Sequence, residues 1–175
     1  MVRDGLVDTT RNKDVVLTRD GLAAAESMVR RHRLAKRMVV DLLGVPPQMA
    51  LGEAHRLEHA ISPYLADKID EQLGHPKTCP FGHPIPGKGR TVAKDTTPLS
   101  HFAPGTIAIV DRVPDQDQEL LQYFVENGLL PGQHLLVVEA ALYRGVMKLE
   151  CNGAEMVVSY KVAERIWAYP AKNDQ

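Results

Sequence analysis

Cysteine is scarce in this chain. Cys79 and Cys151 are the only two, they lie far apart, and neither sits in a Cys-x-x-Cys spacing. No disulfide framework or structural zinc knuckle is therefore suggested, and both read as reduced thiols. Net charge is lacking too: 21 Lys and Arg against 22 Asp and Glu leave a formal −1. That excludes a global basic field, so any nucleic-acid contact has to come from a local patch. No apolar run approaches the roughly 18 residues a membrane helix needs, and the start lacks the basic, apolar, small-residue order of a secretion signal. A cytoplasmic protein with no membrane partner is expected. There is no internal repeat and no low-complexity segment.

The chain has 175 residues, enough for one compact domain or two small ones, and the pattern favours two. Gly5 follows a short possible helix end, after which Leu6 and Val7, a polar turn through Arg11, Asn12 and Lys13, and Val15 to Leu17 predict a β-hairpin. Thr18 caps a long helix whose apolar stripe (Leu22, Ala25, Met28, Val29, Met38, Val39, Leu42) runs to Gly44. A second helix starts at Pro46 or Pro47 and runs from Met49 through Ala60. Ser62 and Pro63, a cap and a first-turn proline, open a third that ends at Gly74. Three helices joined by short loops pack on one another or on a partner chain.

From 75 to 97 the composition turns to Pro, Gly, Thr, Lys and His, which predicts a linker. Beyond it, short strands at 106–110, 135–140, 146–149, 156–160 and 166–169, with Pro-Gly and Asn-Gly turns and a helix at 116–127, predict a five-stranded barrel. Trp167 reads as barrel core. The acidic run from Asp115 to Glu119 reads as a helix cap, where carboxylates meet the positive dipole end.

His55, Glu58 and His59 stand at i, i+3 and i+4 of the second helix, so one face presents two imidazoles and a carboxylate to one cation. That donor set suits Mn²⁺, Fe²⁺, Co²⁺ or Zn²⁺. A polar helix surface would show the same spacing. The residues 55–59 also spell the H-x-x-E-H of inverted zinc peptidases, in which the glutamate is a general base; here no larger body with a third ligand and a substrate cleft follows. Between Met1 and Arg37, Arg3, Arg11, Lys13, Arg19, Arg30, Arg31, Arg33, Lys36 and Arg37 outnumber the anions, which fits either a solvated helix face or phosphate contacts. Cys79 and His83 flank a proline cluster and read as turn residues.

The basic run from Met28 to Arg37, then Asp41, Leu42, Leu43 and Gly44, then Glu53 to His59, then Pro80 to Gly87, resembles the metal-binding and dimerisation domain of the diphtheria-toxin-repressor family. The later stretch with Pro104-Gly105, Glu126 to Gly132 and Asn152-Gly153 resembles the SH3-like domain of the same regulators. The resemblance implies an α+β chain in four parts. These are the remnant of a winged helix-turn-helix (1–20), an all-helical metal-binding and dimerisation domain (21–74), a linker (75–97) and a small SH3-like β-barrel (98–172).

It further implies a homodimeric, metal-dependent transcriptional repressor of metal homeostasis, with Mn²⁺ or Fe²⁺ as cofactor, no enzymatic activity and no small-molecule substrate. Glu58 and His59 match ligands of the family's activating site. His55 stands where iron-responsive members carry cysteine and manganese-responsive ones glutamate. His32 matches a ligand of an ancillary site, but that site's other positions here hold Lys36 and Leu51, and Asp117 and Leu120 replace its donors from the barrel domain. The ancillary site is thus expected to hold no metal, with Lys36 supplying fixed positive charge there and His32 reading as a helix-surface or interface residue. Met1 to Val7 resembles the end of the recognition helix. Arg3, Arg11 and Lys13 of the wing are the expected DNA-phosphate contacts, and double-stranded operator DNA is a partner only where the rest of the DNA-reading part is present. A misplaced start and a real truncation, the latter leaving a dimerisation module without DNA binding, are both open.

Overall fold

The structure is a computed structural model, and it describes residues 5–10, 13–89 and 95–171. It opens with a hairpin of β1 (Val7–Thr9) and β2 (Val15–Leu17), paired antiparallel with Val7 opposite Leu17. Thr18 fastens this hairpin to the first helix. Its backbone N–H donates to the Leu6 carbonyl (3.1 Å), its hydroxyl donates to the Gly5 carbonyl (2.7 Å) and also accepts from Gly21 N–H (3.0 Å). The approach is so close that a Cβ at Gly21 would lie 1.8 Å from the Leu6 oxygen. Residues 1–4, including the expected helix end, lie outside the described residues.

Helix α1 (Arg19–Arg37) continues into a π-helical stretch, Met38–Leu42, and ends at Gly44 with φ +67°. A 3₁₀ turn (Pro47–Met49) leads into α2 (Ala50–Leu57), and Ser62 caps α3 (Pro63–Gln72) by accepting from Leu65 N–H at 3.2 Å. α2 is shorter than its sequence suggests, because Pro46 and Pro47 force the first turn into 3₁₀ geometry and the regular helix stops at Leu57. Leu34 and Ala35 of α1, Ala54 of α2, Ile61, Ala66 and Ile69 of α3 and Ile85 form one buried cluster. The three alanines keep the helices near each other.

The stretch expected to be a linker is in part built into the fold. Residues 78 and 84 form an isolated β-bridge, and Cys79, Phe81 and Ile85 are buried to 2% exposure or less. The turn between them depends on Gly82 (φ +85°), whose Cβ would meet the Asp111 oxygen at 2.1 Å, and Val113 N–H donates to the Phe81 carbonyl at 3.1 Å. Composition hid this: two large apolar groups among prolines suffice to anchor a turn.

The C-terminal part contains β3 (Thr97–Pro98), β4 (Ile107–Arg112), α4 (Gln118–Glu126), β5 (His134–Ala141), β6 (Val146–Cys151), β7 (Ala154–Ser159), α5 (Tyr160–Ala163) and β8 (Trp167–Pro170). The strands form one antiparallel sheet in the order β3-β8-β4-β5-β6-β7. Five strands match the expected ones and the two-residue β3 is a sixth. Asn152 and Gly153, both at positive φ, make the two-residue turn between β6 and β7. Its core (Val110, Leu121, Phe124, Leu129, Leu135, Val137, Met147, Leu149, Ile166) is continuous with Val39, Ala50, Cys79 and Phe81 from the helical part. Trp167 is not fully buried: it stands half-exposed between β3 and β4, with the Arg112 guanidinium 4.2 Å from its ring centroid.

Candidate metal centre

Three imidazoles converge on one carboxylate. Glu58 follows the last residue of α2 as its C-cap, its N–H still bonded to the Ala54 carbonyl (2.9 Å). Its side chain is only 5% exposed. His55, one turn earlier, places Nδ1 3.0 Å from Glu58 Oε1, and His59, in the turn that follows, places Nε2 3.3 Å from the same oxygen. His32 on α1 completes the group, with Nδ1 2.5 Å from Glu58 Oε2. The sequence joined His55, Glu58 and His59 through helical spacing. It did not place His32 there, because that contact spans 26 positions and depends on how α1 packs against α2.

Burial sets the electrostatics. His32 is held below the ordinary histidine range, first by desolvation and then by the ammonium of Lys36 one turn along α1; Glu58 opposes both without overcoming them. A neutral His32 donates its Nδ1 proton to the carboxylate and keeps Nε2 as a lone-pair donor. These are polar contacts among the side chains themselves, and among the described residues no three His, Cys, Asp or Glu side chains stand in the geometry of a formed metal site. The His55 and His59 side chains are 72% and 64% exposed, which leaves their rings room to turn. One carboxylate and three imidazoles are a donor set that fits a divalent transition ion, so His32, His55, Glu58 and His59 are the residues that could hold one.

The other residues of interest separate. Lys13 stands exposed in the hairpin turn at φ +64°, whereas Arg3 and Arg11 lie outside the described residues. Cys79 is buried, and its thiol is pushed up by desolvation and by Asp115. Cys151 is likewise buried and raised, its Sγ 3.2 Å from the Gly128 carbonyl. Asp117 caps α4 by accepting from Leu120 N–H at 3.1 Å. Asp115 belongs to no cap and instead meets Lys36 across the molecule at 2.6 Å. Sequence reasoning also passed over Asp70, which gathers Arg30 (3.5 Å), His75 (3.0 Å) and Lys88 at the end of α3. Burial works to raise its carboxyl, and the bonds donated by Lys88 and His75 outweigh it, holding Asp70 below the usual range.

Comparison with known proteins gives consistent relatives. Residues 18–87 match the family described as iron dependent repressor, metal binding and dimerisation domain, and residues 97–170 match the FeoA domain. The iron-dependent repressor of Mycobacterium leprae is 42% identical over 87 residues, 50% of this chain and 38% of that protein. The diphtheria toxin repressor of Corynebacterium glutamicum is 37% identical over 167 residues, covering 89% of this chain and 72% of its own. A solved manganese-dependent transcriptional repressor in complex with manganese superposes with a TM-score of 0.84 at 33% identity, over 97% of this chain and 80% of that one. The alignment with the Mycobacterium leprae protein thus spans well under half of that relative's length.

Proposed function

This chain belongs to the diphtheria toxin repressor family, and from that premise we propose that it serves a metal-dependent transcriptional repressor, sensing Mn²⁺ or Fe²⁺ through His55, Glu58 and His59 with His32 as a fourth donor. The observation that supports this most directly is the gathering of three imidazoles on the 5%-exposed Glu58 carboxylate, where α1 meets the end of α2. When bound, the ion would do no bond-making chemistry; it would act by differential affinity, favouring one arrangement of the helices that carry its ligands. The chain's own residues do the rest. Glu58 supplies the carboxylate, His32 ties α1 to the centre, and the buried Ala35 and Ala54 let the two helices pack closely.

The partners follow from the same reading. Leu22, Met28 and Val29 of α1, together with Leu42, Leu43, Tyr64 and Leu65, are apolar and exposed, which supports a homodimer formed through the helical part. The exposed Lys13 of the hairpin turn, with Arg3 and Arg11, would contact phosphates of double-stranded DNA, positioning the protein without reading sequence. A DNA-bound repressor works in the cytoplasm and needs no small-molecule substrate. The peptidase alternative requires Glu58 to face a water in a cleft, and both of its oxygens are engaged by histidines.

Isothermal titration tests the proposal. Mn²⁺, and Fe²⁺ without oxygen, should give a saturable heat with the wild-type chain, and His59→Ala should weaken it about tenfold or more. Equal heats from both proteins would exclude the site.

A further inference from the structure

Lys36 is 2% exposed, an unusual place for an ammonium. It leaves the last turn of α1 and meets Asp115 Oδ2 at 2.6 Å, a contact spanning 79 positions that joins the segment matched by the repressor domain to the segment matched by the FeoA domain. The Asp115 side chain is itself only 9% exposed. Around this pair close Phe81, whose ring centroid is 5.7 Å from Nζ, the buried Cys79, and His83, whose Nε2 is 3.5 Å from Asp115 Oδ1. The hydrophobic core runs uninterrupted past it, through Val39, Ala50 and Phe81 into Val110 and Leu121.

We propose that the cation position at this junction is filled permanently by the chain's own Lys36, so that the C-terminal domain is docked on the helical domain without divalent metal and a second metal ion is excluded there. The groups around Asp115 leave little else to bind. Its one negative charge is already matched by the ammonium. His83 Nε2 lies 2.9 Å from the Val113 carbonyl, and since a carbonyl only accepts, that nitrogen carries the proton and has no lone pair to offer a metal. Burial holds His83 below the ordinary histidine range, against the pull of Asp115 and the Val113 carbonyl and with Arg33 and Lys36 adding to the depression. The thiol of Cys79 is pushed up by the same burial and stays protonated. An ion entering beside Asp115 would have to displace a tethered cation and strip the proton from the Cys79 thiol or from the His83 nitrogen that faces Asp115.

The pairing is also one whose removal is felt: a buried charge that loses its partner strongly favours opening, whereas replacing both members with apolar groups need not. Domain docking is therefore expected to be a fixed feature of this chain, and its metal response is confined to the separate centre at Glu58. This differs from the proposed sensing function and is tested without it, because exchange is read at the junction, away from Glu58, both in EDTA and with Mn²⁺ added.

Hydrogen exchange of residues 77–85 and 111–117 in the full chain, in EDTA, reads the docking. The wild type should be protected in EDTA and unchanged by added Mn²⁺. Lys36→Met should raise exchange there about a hundredfold, and the double variant Lys36→Met with Asp115→Leu should recover most of the protection. Lys36→Glu should be open in EDTA and be closed again by Mn²⁺, since two facing carboxylates then need a divalent ion between them. Wild-type protection that appears only with Mn²⁺, or Lys36→Met and Lys36→Glu that stay as protected as wild type in EDTA, would overturn the assignment. So would Lys36→Glu that stays open in Mn²⁺. If the variants do not fold, the wild-type comparison between EDTA and Mn²⁺ still decides.

Discussion

His32 and Glu58, 26 positions apart in sequence, meet at 2.5 Å, and through that contact the long helix α1 is tied to the carboxylate that His55 and His59 also face. A ligand set confined to one helix could bind a metal without moving anything. A set drawn from two helices makes their relative placement part of the binding free energy, which is what a sensor requires.

His32→Ala should therefore weaken Co²⁺ or Mn²⁺ binding by about ten- to a hundredfold while leaving the fold intact, at a stability cost of about 1–2 kcal/mol from the lost bond to the buried Glu58. Titration calorimetry with a parallel urea melt separates the two effects. Unchanged metal affinity would return His32 to a purely structural role.

The residue at position 55 should tune which ion is preferred. Imidazole is a softer donor than carboxylate, and every added carboxylate favours Mn²⁺ relative to later ions. His55→Glu is expected to narrow the ratio of Co²⁺ to Mn²⁺ affinity, with Mn²⁺ binding gaining in absolute terms. Competition against a chromogenic chelator measures it, and a ratio that stays constant would mean that His55, 72% exposed, takes no part in binding.

What the sequence made legible was local. Thr18 and Ser62 as caps, the Asn152-Gly153 turn, and the one-turn spacing of His55, Glu58 and His59 are relations within a few residues, set by dihedral preference and helical period. The contacts that complete the picture are long-range. His32 reaches Glu58 and Lys36 reaches Asp115 only because α1 packs against α2 and its last turn meets the segment that precedes α4. The expectation that Lys36 carries fixed positive charge was drawn from family resemblance, but its partner Asp115 sits in an acidic run that reads equally well as a cap. Trp167 misled through its type: large and apolar in a late strand, it is half-exposed because Arg112 covers its face instead of the core.

Gly21→Ala probes the docking of the hairpin on α1. In an open helix the change would add up to about 1 kcal/mol of stability. Here the new Cβ would collide with the Leu6 oxygen, backbone that cannot swing aside. The hairpin should detach, with faster proteolysis and hydrogen exchange across residues 5–17 and unaltered metal affinity at the distant Glu58 centre. A variant more stable than wild type with a protected hairpin would show that the close approach is not maintained in solution.

Asp70 gives the acid response of the helical part. Its native value is depressed because bonds donated by Lys88 and His75, with Arg30 nearby, outweigh burial. A carboxyl depressed in the folded state contributes stability that is fully present above its unfolded value, about pH 4, and lost as pH falls through the lower native value. At pH 7, Asp70→Asn should cost about 2 kcal/mol, reduced from the fully buried limit because Arg30 and Lys88 keep 23% and 20% exposure. Below about pH 4 the wild type should progressively lose that advantage, so the two stability curves converge on acidification. Urea melts at pH 7 and pH 3 measure the gap. A gap equally wide at both would mean that Asp70 stabilises α3 through packing alone, with its charge making no net contribution.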